Sequence, residues 1–423
     1  MIALTLALLG LRKRLPIWPL SPVWLVIGVY LPLAILGRYA LALGSGVPGQ
    51  SFLFYLPKRT LDHAFAWFLL LLLAFAAGIY LELFFNGSHE GKVVFKPSKE
   101  RSGGAILVVG VAFALLLLIF GVGFKELFYR IEYLTGRHNI TKIIGKALAP
   151  LGITACGYGA LAFRSTLIRL AATIVAIGYF VVSLSMATRL MALVPVLFAV
   201  GCFCARPQSR TVRIMLYLSL FSSPALLPIP LALRNLPVQG LIPFAAALRK
   251  IEGIFGVRGL FKHVVGSILI AFSMTGYVGE SHPLSISYLL TSANPLPGRM
   301  TDWYLIAHRL MVNVFSPYNG LGELMNYGIV AGATCYLLLG MYFAHTDRKI
   351  RRWVRQGKIL PVLVLFGFSA LLVLMTLQYN LRSSFRLVYY SMFFEAVMFL
   401  FDSGSTTETA YKPIRLARPS SAV

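Results

Sequence analysis

The sequence is poor in charge, and poorest in acids. Only 13% of its 423 residues are charged, and 14 Asp and Glu stand against 39 Lys and Arg, which gives a net charge of +25. Because soluble domains carry about 25% charged residues, this composition excludes a soluble enzyme with a single core. Cysteine is scarce too. The four cysteines fall in apolar segments without the spacing of a zinc site, so a disulfide scaffold is excluded and each cysteine is expected to be a small buried hydrophobe.

Several motifs of soluble enzymes are also missing. The chain has no P-loop, no glycine-rich dinucleotide turn after a strand and no His-Glu-x-x-His, which excludes an ATP motor, a dinucleotide enzyme and a zincin. We therefore expect neither a cofactor nor a metal. The basic residues lie in short segments between apolar runs, so nucleic acid is not an expected partner. No internal repeat stands out, which argues against a transporter built from inverted repeats.

Long apolar runs fill the rest of the chain. Hydrophobic residues make up 58% of the sequence, and the mean hydropathy is +0.78. A helix that crosses a bilayer needs roughly 17 to 25 mostly apolar residues, so residues 1–11 are too short to cross. The pattern predicts an all-α integral membrane protein, a single polytopic domain over 1–423, with ten transmembrane helices at about 17–43, 61–85, 104–124, 146–163, 168–187, 190–205, 214–233, 320–344, 359–377 and 385–401.

The short basic loops set the predicted orientation. Cytoplasmic loops carry an excess of Lys and Arg, and the basic segments alternate correctly along the chain if both termini are cytoplasmic. An apolar segment near 264–279 is too short to cross, and crossing would turn the most basic loop outward, so we expect it to dip into the membrane. Residues 234–319 then form one long outer, periplasmic region between spans seven and eight. The basic segments are 12–14, 86–103, 164–169, 206–213, 345–358 and the tail 402–423.

Cations remain in surplus on the predicted outer side, and this indicates an anion site, with phosphate preferred. Arg189 lies in a tight turn between two spans, where it either reaches the head groups or grips a phosphate. Arg382 and Arg386 are four residues apart, hence on one helical face, and an anion between them would relieve their repulsion. The long outer region adds Arg299 and Arg309.

Three side chains are candidate general bases. Glu323 begins a span, with Asn326 and Tyr327 on the same helical face. It complements the helix dipole or, against apolar walls, has a raised pKa suited to a base. His308 and His282 could serve as bases near neutral pH, as imidazole side chains do, although loop histidines are commonly without function. Two further acids, Glu82 and Glu395, are placed to snorkel or to pair helices at the cytoplasmic ends.

Two segments in combination resemble the Wzy-type polymerases of O-antigen and capsule repeat units. They are Asn294-Pro-Leu-Pro-Gly298 and then Ser316-Pro-Tyr-Asn-Gly-Leu-Gly-Glu-Leu-Met-Asn-Tyr-Gly328 at the opening of a span. The turns Ala187-Thr-Arg189 and Arg382-Ser-Ser-Phe-Arg386 occupy places where that family often has arginines. The topology matches over nearly the whole chain, and the motifs cover about forty residues loosely.

The resemblance implies a metal-independent glycosyltransferase of the all-helical, lipid-dependent GT-C type in the bacterial inner membrane. Such an enzyme transfers a growing glycan from undecaprenyl pyrophosphate to the non-reducing end of a new lipid-linked repeat unit on the periplasmic face. Donor and acceptor are both undecaprenyl-pyrophosphate-linked oligosaccharides, and a chain-length regulator is a further partner that the family resemblance allows. The arginines would hold pyrophosphate.

Other functions stay open from the sequence. An O-antigen ligase, which moves the finished glycan onto lipid A–core, would have the same topology and basic outer face. A peptidoglycan polymerase of the shape–elongation–division type is ranked lower because the outer region is poor in acids. A flippase for lipid-linked oligosaccharides needs cations within its spans, and here nearly all of them lie at span ends, with Arg38 the partial exception.

Overall fold

A computed structural model describes residues 2–42, 56–87, 104–131, 140–188, 190–226, 228–234, 236–248, 269–281, 283–313 and 316–403. Within these ranges the chain is mostly helical, and one two-stranded antiparallel pair, β1 (Met311–Asn313) and β2 (Ser316–Pro317), stands outside the helices. This confirms the predicted all-α class.

The described helices are numbered in chain order. They are α1 (Ile2–Arg14), α2 (Pro22–Ala42), α3 (Lys58–Asn86), α4 (Gly104–Val122), α5 (Phe124–Phe128), α6 (Ile140–Ala162), α7 (Thr166–Ser185), α8 (Leu190–Ala205), α9 (Arg210–Leu226), α10 (Pro228–Arg234), α11 (Leu241–Leu248), α12 (Leu269–Gly279), α13 (Ile286–Ala293), α14 (Trp303–Ile306), α15 (Gly320–Asn326), α16 (Ile329–Arg355), α17 (Ile359–Gln378) and α18 (Leu381–Ser403). Short 3₁₀ turns cover Gly298–Met300 and Ala307–Leu310.

Six helices are long and apolar enough to cross a membrane: α2, α3, α4, α7, α16 and α17. A seventh is α6, which bends by 44° between Ile140–Lys146 and Leu148–Ala162. Pro150 lies one turn after the bend and cannot donate to the carbonyl of residue 146, which explains it. The remaining predicted spans are also helical, but α8 and α9 are short and α18 is less apolar. The count of ten spans stays a prediction.

One group of helices, α1–α3, α12 and α15–α18, shares a buried apolar cluster. Its centre is the contact between α3 and α16. A Cβ added to Gly78 would lie 2.0 Å from the carbonyl oxygen of Leu337, and one added to Gly340 would lie 2.1 Å from that of Phe75. Glycine is therefore required at both positions for the two backbones to touch.

A second group, α4 and α6–α8, encloses its own apolar cluster. Here α6 and α8 run antiparallel in close contact, with Gly157 against Phe198 and Gly201 against Thr154. A third cluster joins the two groups, since it contains Trp18 and Trp353 from the first and Val200 and Phe203 from the second. Each group is thus a helical bundle with its own core, and a shared seam connects them.

The segment predicted to dip into the membrane is described from Leu269 onward and forms α12. Phe272 is fully buried and stacks on Phe68 of α3 with ring centroids 5.8 Å apart. Thr275 is also fully buried. The helix therefore packs inside the first group, whereas its position relative to a bilayer stays a prediction. Residues 264–268 lie outside the described ranges, as do 404–423 of the predicted tail.

Two predicted boundaries were wrong. The span predicted at 320–344 is divided at Gly328, whose φ of 97° ends α15 and precedes α16. The most basic predicted loop, 345–358, is helical through Arg355. Ile350, Trp353 and Val354 in this stretch are buried against the helices of the shared seam. Local charge density suggested a loop, but the apolar residues at helical spacing extend α16 instead.

Candidate functional site

Glu323 lies at the meeting point of three segments that are distant in sequence. The side chain of Asn319 caps α15 by accepting a hydrogen bond from the amide of Gly322 at 3.0 Å, which fixes the start of the helix. Glu323 is fully buried. Its Oε2 accepts from the amide of Leu381 at the start of α18 (2.8 Å), and its Oε1 accepts from the hydroxyls of Ser292 of α13 (3.1 Å) and Tyr327 (3.2 Å). We call Ser292, Glu323, Leu381 and Arg382 the junction.

Burial dominates the electrostatics of Glu323. α15 precedes the membrane-spanning part of α16, and burial of the carboxyl group there raises the pKa of Glu323 to about 7, although the hydrogen bonds from Leu381, Ser292 and Tyr327 lower it. A group with this pKa changes protonation near neutrality, as a general base should. However, a base must be within reach of the proton it removes. In this structure the carboxylate of Glu323 has no solvent exposure and accepts hydrogen bonds from three protein donors. The arrangement suits a positioning role, and the predicted role as base stays a prediction.

Arg382 is the largest of the fully buried side chains. Its Nη1 donates to the carbonyl oxygen of Thr291 and its Nη2 to that of Leu296, both at 2.6 Å, and Nη2 also lies 3.3 Å from the Thr301 hydroxyl. The guanidinium lies 4.9 Å from the ring centroid of Trp303. Both ends of the guanidinium are therefore taken by the 291–303 segment, and Arg382 fastens this segment to α18.

Arg386 stands one helical turn further along α18. It is partly exposed, and within the described ranges it makes neither a hydrogen bond nor an ion pair. Arg386 is near enough to Arg382 for repulsion between the two charges. It is thus the arginine of this pair whose donors are available to an anion.

The other predicted residues on the long outer region are exposed. Arg299 is part of a 3₁₀ turn, and His308 lies in the next one. Arg309 donates to the hydroxyl of Tyr288 at 2.7 Å, which ties it to α13. Arg299 belongs to the segment 291–303 that Arg382 fastens, and Arg309 is tied to the helix that carries Ser292, so the structure brings these residues to the same end of the first group as Glu323. Their roles stay predictions.

Two predicted residues, Arg189 and His282, lie outside the described residues. The turn before Arg189 is described. There Ala187 adopts a left-handed φ of 48° and accepts a hydrogen bond from Nε of Arg234 at 2.9 Å. Ala187 packs with Leu233 and Phe244. This turn therefore belongs to the second helical group, away from the contacts that build the junction.

A corner formed by α2, α3 and α12 was missed by the sequence reasoning. Arg38 pairs with Asp62 at 2.9 Å, and Nδ1 of His63 lies 2.8 Å from a carboxylate oxygen of Glu280. The Thr60 hydroxyl donates to the other oxygen of Glu280. A signal was present in the sequence: Thr60 and His63, at i and i+3, place polar groups on one face of the first turns of a strongly apolar span.

The opposite end of the first group holds an ion-pair network. Glu82 of α3 pairs with Arg348 at 3.0 Å, and Glu395 of α18 pairs with Lys349 at 2.9 Å. Both acids therefore pair helices, one of the two roles expected of them. Asp347 accepts from Nε of Arg351 (2.5 Å) and from the indole of Trp18 (3.1 Å). We call this set of residues the ion-pair end.

Among the described residues, no group of three or more His, Cys, Asp or Glu side chains is placed to hold a metal ion. Comparison of the chain with protein-family models, with curated proteins and with solved structures gave no match.

Proposed function

We propose that this protein is a glycan polymerase that transfers a growing oligosaccharide from undecaprenyl pyrophosphate to the non-reducing end of a new lipid-linked repeat unit. The observation that supports this is the junction. The two motif segments that carry the resemblance to Wzy-type polymerases and the arginine turn at 382–386 are separated in sequence, yet hydrogen bonds of Glu323 and Arg382 connect these three stretches. Scattered motifs that meet at one place are typical of a shared site.

The charges at the junction suit a lipid pyrophosphate. Arg382 is held by backbone carbonyls, and Arg386 beside it keeps its donors for a ligand. A guanidinium whose donors are not used by the protein binds a phosphate oxygen of a lipid-linked substrate through charge-assisted hydrogen bonds. The segment 291–303, which Arg382 holds in place, would then cover the sugars and limit competing hydrolysis.

The helix directions support a periplasmic site in the inner membrane. Trp67 contacts Gly332, and Glu82 pairs with Arg348, so α3 and α16 run in parallel from the junction to the ion-pair end. The basic stretches 12–14 and 345–355 lie toward the ion-pair end, where Arg14 approaches Tyr80 and Arg351 approaches Trp18. By the positive-inside rule this end faces the cytoplasm and the junction faces the periplasm.

The test uses purified protein in nanodiscs with lipid-pyrophosphate-linked repeat units, without nucleotide sugar or added metal. We expect a ladder of products with two, three and more repeats. Arg386→Ala should lower the rate roughly tenfold or more, because it removes a charge-assisted contact of about 1.5–3 kcal/mol. Arg352→Ala, an exposed arginine at the other end of α16, is the matched control and should leave the ladder unchanged.

Other results would redirect the proposal. No ladder from folded protein with a matched substrate would contradict the polymerase. Product formation only after addition of lipid A–core would indicate a ligase, and movement of the substrate across sealed vesicles without new glycosidic bonds would indicate a flippase.

A further inference from the structure

We propose that His63, oriented by Glu280, is the general base of the transfer, and that Arg38, oriented by Asp62, binds a phosphate of the lipid-linked donor. This inference rests on the proposed polymerase function and names the chemistry at its reacting centre. It assigns that chemistry to the corner of α2, α3 and α12, whereas the sequence motifs point to Glu323 and Arg382.

His63 has the geometry of an oriented base. Its Nδ1 lies 2.8 Å from one oxygen of Glu280, whose other oxygen accepts from Thr60. With the proton on Nδ1 as donor to this carboxylate, the lone pair of the imidazole is on Nε2. The side chain of His63 is 48% exposed, so a substrate hydroxyl can reach it. An acid that fixes the tautomer and ring orientation of a histidine is the arrangement by which triads prepare their base.

Arg38 is fixed by two contacts and retains further donors. One Nη pairs with Asp62 at 2.9 Å, and the guanidinium lies 4.6 Å from the ring centroid of Phe65. The side chain is 42% exposed. Because Asp62 and His63 are consecutive residues, the guanidinium and the imidazole stand at the same helix start. A guanidinium has five N–H donors, so those not used by Asp62 are available to a phosphate oxygen.

The corner is linked to the junction through α15. Trp67, one turn after His63, donates its indole N–H to the carbonyl oxygen of Leu321 at 3.0 Å. From the other side, Asn326 accepts from the amide of Leu284 and donates to Ser281, the residue after Glu280. Both sites therefore adjoin the same short helix, α15.

The junction and the corner differ in the solvent exposure of their charged side chains. At the junction, Glu323 and Arg382 are buried. The carboxylate of Glu323 accepts from protein donors and both Nη atoms of Arg382 donate to carbonyl oxygens, while its Nε is buried without a partner among the described residues. At the corner, His63 and Arg38 are each held by one carboxylate and keep a free, solvent-facing side. The junction therefore has a structural role, whereas the corner presents side chains that a substrate can contact.

The proposed transfer step needs no reactant besides the lipid-linked donor and acceptor. The acceptor oxygen forms a bond to the anomeric carbon of the donor, the bond from that carbon to the pyrophosphate oxygen breaks, and the electron pair leaves on undecaprenyl pyrophosphate. The acceptor proton moves to Nε2 of His63 and then to solvent. Arg38 stabilises the departing charge. The acceptor's own pyrophosphate does not react, and the sugars of a repeat unit separate it from the reacting hydroxyl, so Arg386 at the neighbouring junction is suited to hold it.

Among the described residues, the charged groups at this corner are Glu280 directly after α12, Arg38 of α2, and Lys58, Arg59 and Asp62 in the first turns of α3. His63→Gln should lower kcat on the order of 100-fold or more, with KM little changed, since this is the range of general base catalysis. The acid limb of the pH profile should disappear, and added imidazole should restore part of the rate.

Three variants and one control sharpen the test. Glu280→Gln should give a smaller loss than His63→Gln and should shift the acid limb rather than remove it, because Glu280 positions the ring. Arg38→Ala should raise KM for the donor, and Arg38→Lys should restore only part of the affinity. His345→Gln, a histidine of similar exposure beside Glu395 at the ion-pair end, should leave the rate and the pH profile unchanged.

The outcomes separate this inference from the function on which it rests. A wild-type ladder together with unchanged kcat and pH profile in His63→Gln would overturn the inference alone. A wild-type protein that makes no ladder would overturn the polymerase and the base assignment together. A loss of rate that imidazole does not restore, with the acid limb retained, would show that His63 is structural.

Discussion

The two ends of the first helical group satisfy their buried charges in different ways. At the ion-pair end, Asp347 and Glu395 are met by Arg351 and Lys349, so positive and negative charges neutralise one another. At the junction, Glu323 is met by neutral donors, Arg382 by neutral carbonyl oxygens, and Arg386 is left without an acid in the described part of the chain. A closed network stabilises a fold, whereas an end with uncompensated positive charge attracts an anion.

The largest expected effect is at Arg382. Arg382→Ala removes the donors to Thr291 and Leu296, so the hydrogen bond from Tyr389 to Ala293 is left to tie the segment 291–303 to α18. We expect the segment to lose its position and polymer to be lost while the protein remains in the membrane. Arg382→Lys should rescue poorly because one ammonium cannot reach both carbonyl oxygens as the planar guanidinium does. Product ladders, normalised to the amount of protein in the membrane, provide the measurement. Wild-type polymer levels in the alanine variant would show that Arg382 is not needed to hold the site in place.

The ion-pair end should respond in stability instead of activity. Asp347→Ala leaves the buried guanidinium of Arg351 without its carboxylate and should lower the free energy of unfolding by about 3 kcal/mol. Thermal unfolding in detergent is the readout, and the rate per folded molecule should be unchanged. The double variant Asp347→Leu, Arg351→Met should recover much of the loss, since a well-packed apolar pair can replace a buried ion pair. A specific loss of polymer in Asp347→Ala would contradict this contrast between the ends.

A smaller effect is expected in the pH dependence of stability. The pKa of Glu323 is raised from 4.5 to about 7 in the folded state, so its contribution is fully present below pH 4.5 and is lost as the pH rises through about 7. The shift corresponds to at most about 3 kcal/mol. Glu323→Gln stays neutral and keeps the hydrogen-bonding shape, so it should flatten this part of the stability curve. Unfolding temperatures measured between pH 5 and 8 would show it, and parallel curves for both proteins would contradict the raised pKa.

Local features of the sequence predicted the helices well. Hydropathy runs located most of the long helices, because an apolar stretch of that length is determined by its own composition. The exception is α16, which was predicted at 320–344 and spans Ile329–Arg355. Charge density misled at 345–355, where Asp347 and Arg351 are buried together and the helix continues. The division between α15 and α16 at Gly328 was also missed, although the glycines around Glu323 indicated an irregular backbone.

Sequence by itself determined the membrane class, the helix positions and the enrichment of cations around the predicted outer turns, since these properties depend on residues near one another in the chain. Only the tertiary structure decided how those residues are used. Arg382 meets Thr291 across 91 positions, and His63 meets Glu280 across 217. Such contacts arise from helix packing, which no local periodicity encodes. They determine that Arg382 holds the segment 291–303 in place, whereas Arg386 keeps its donors for a ligand.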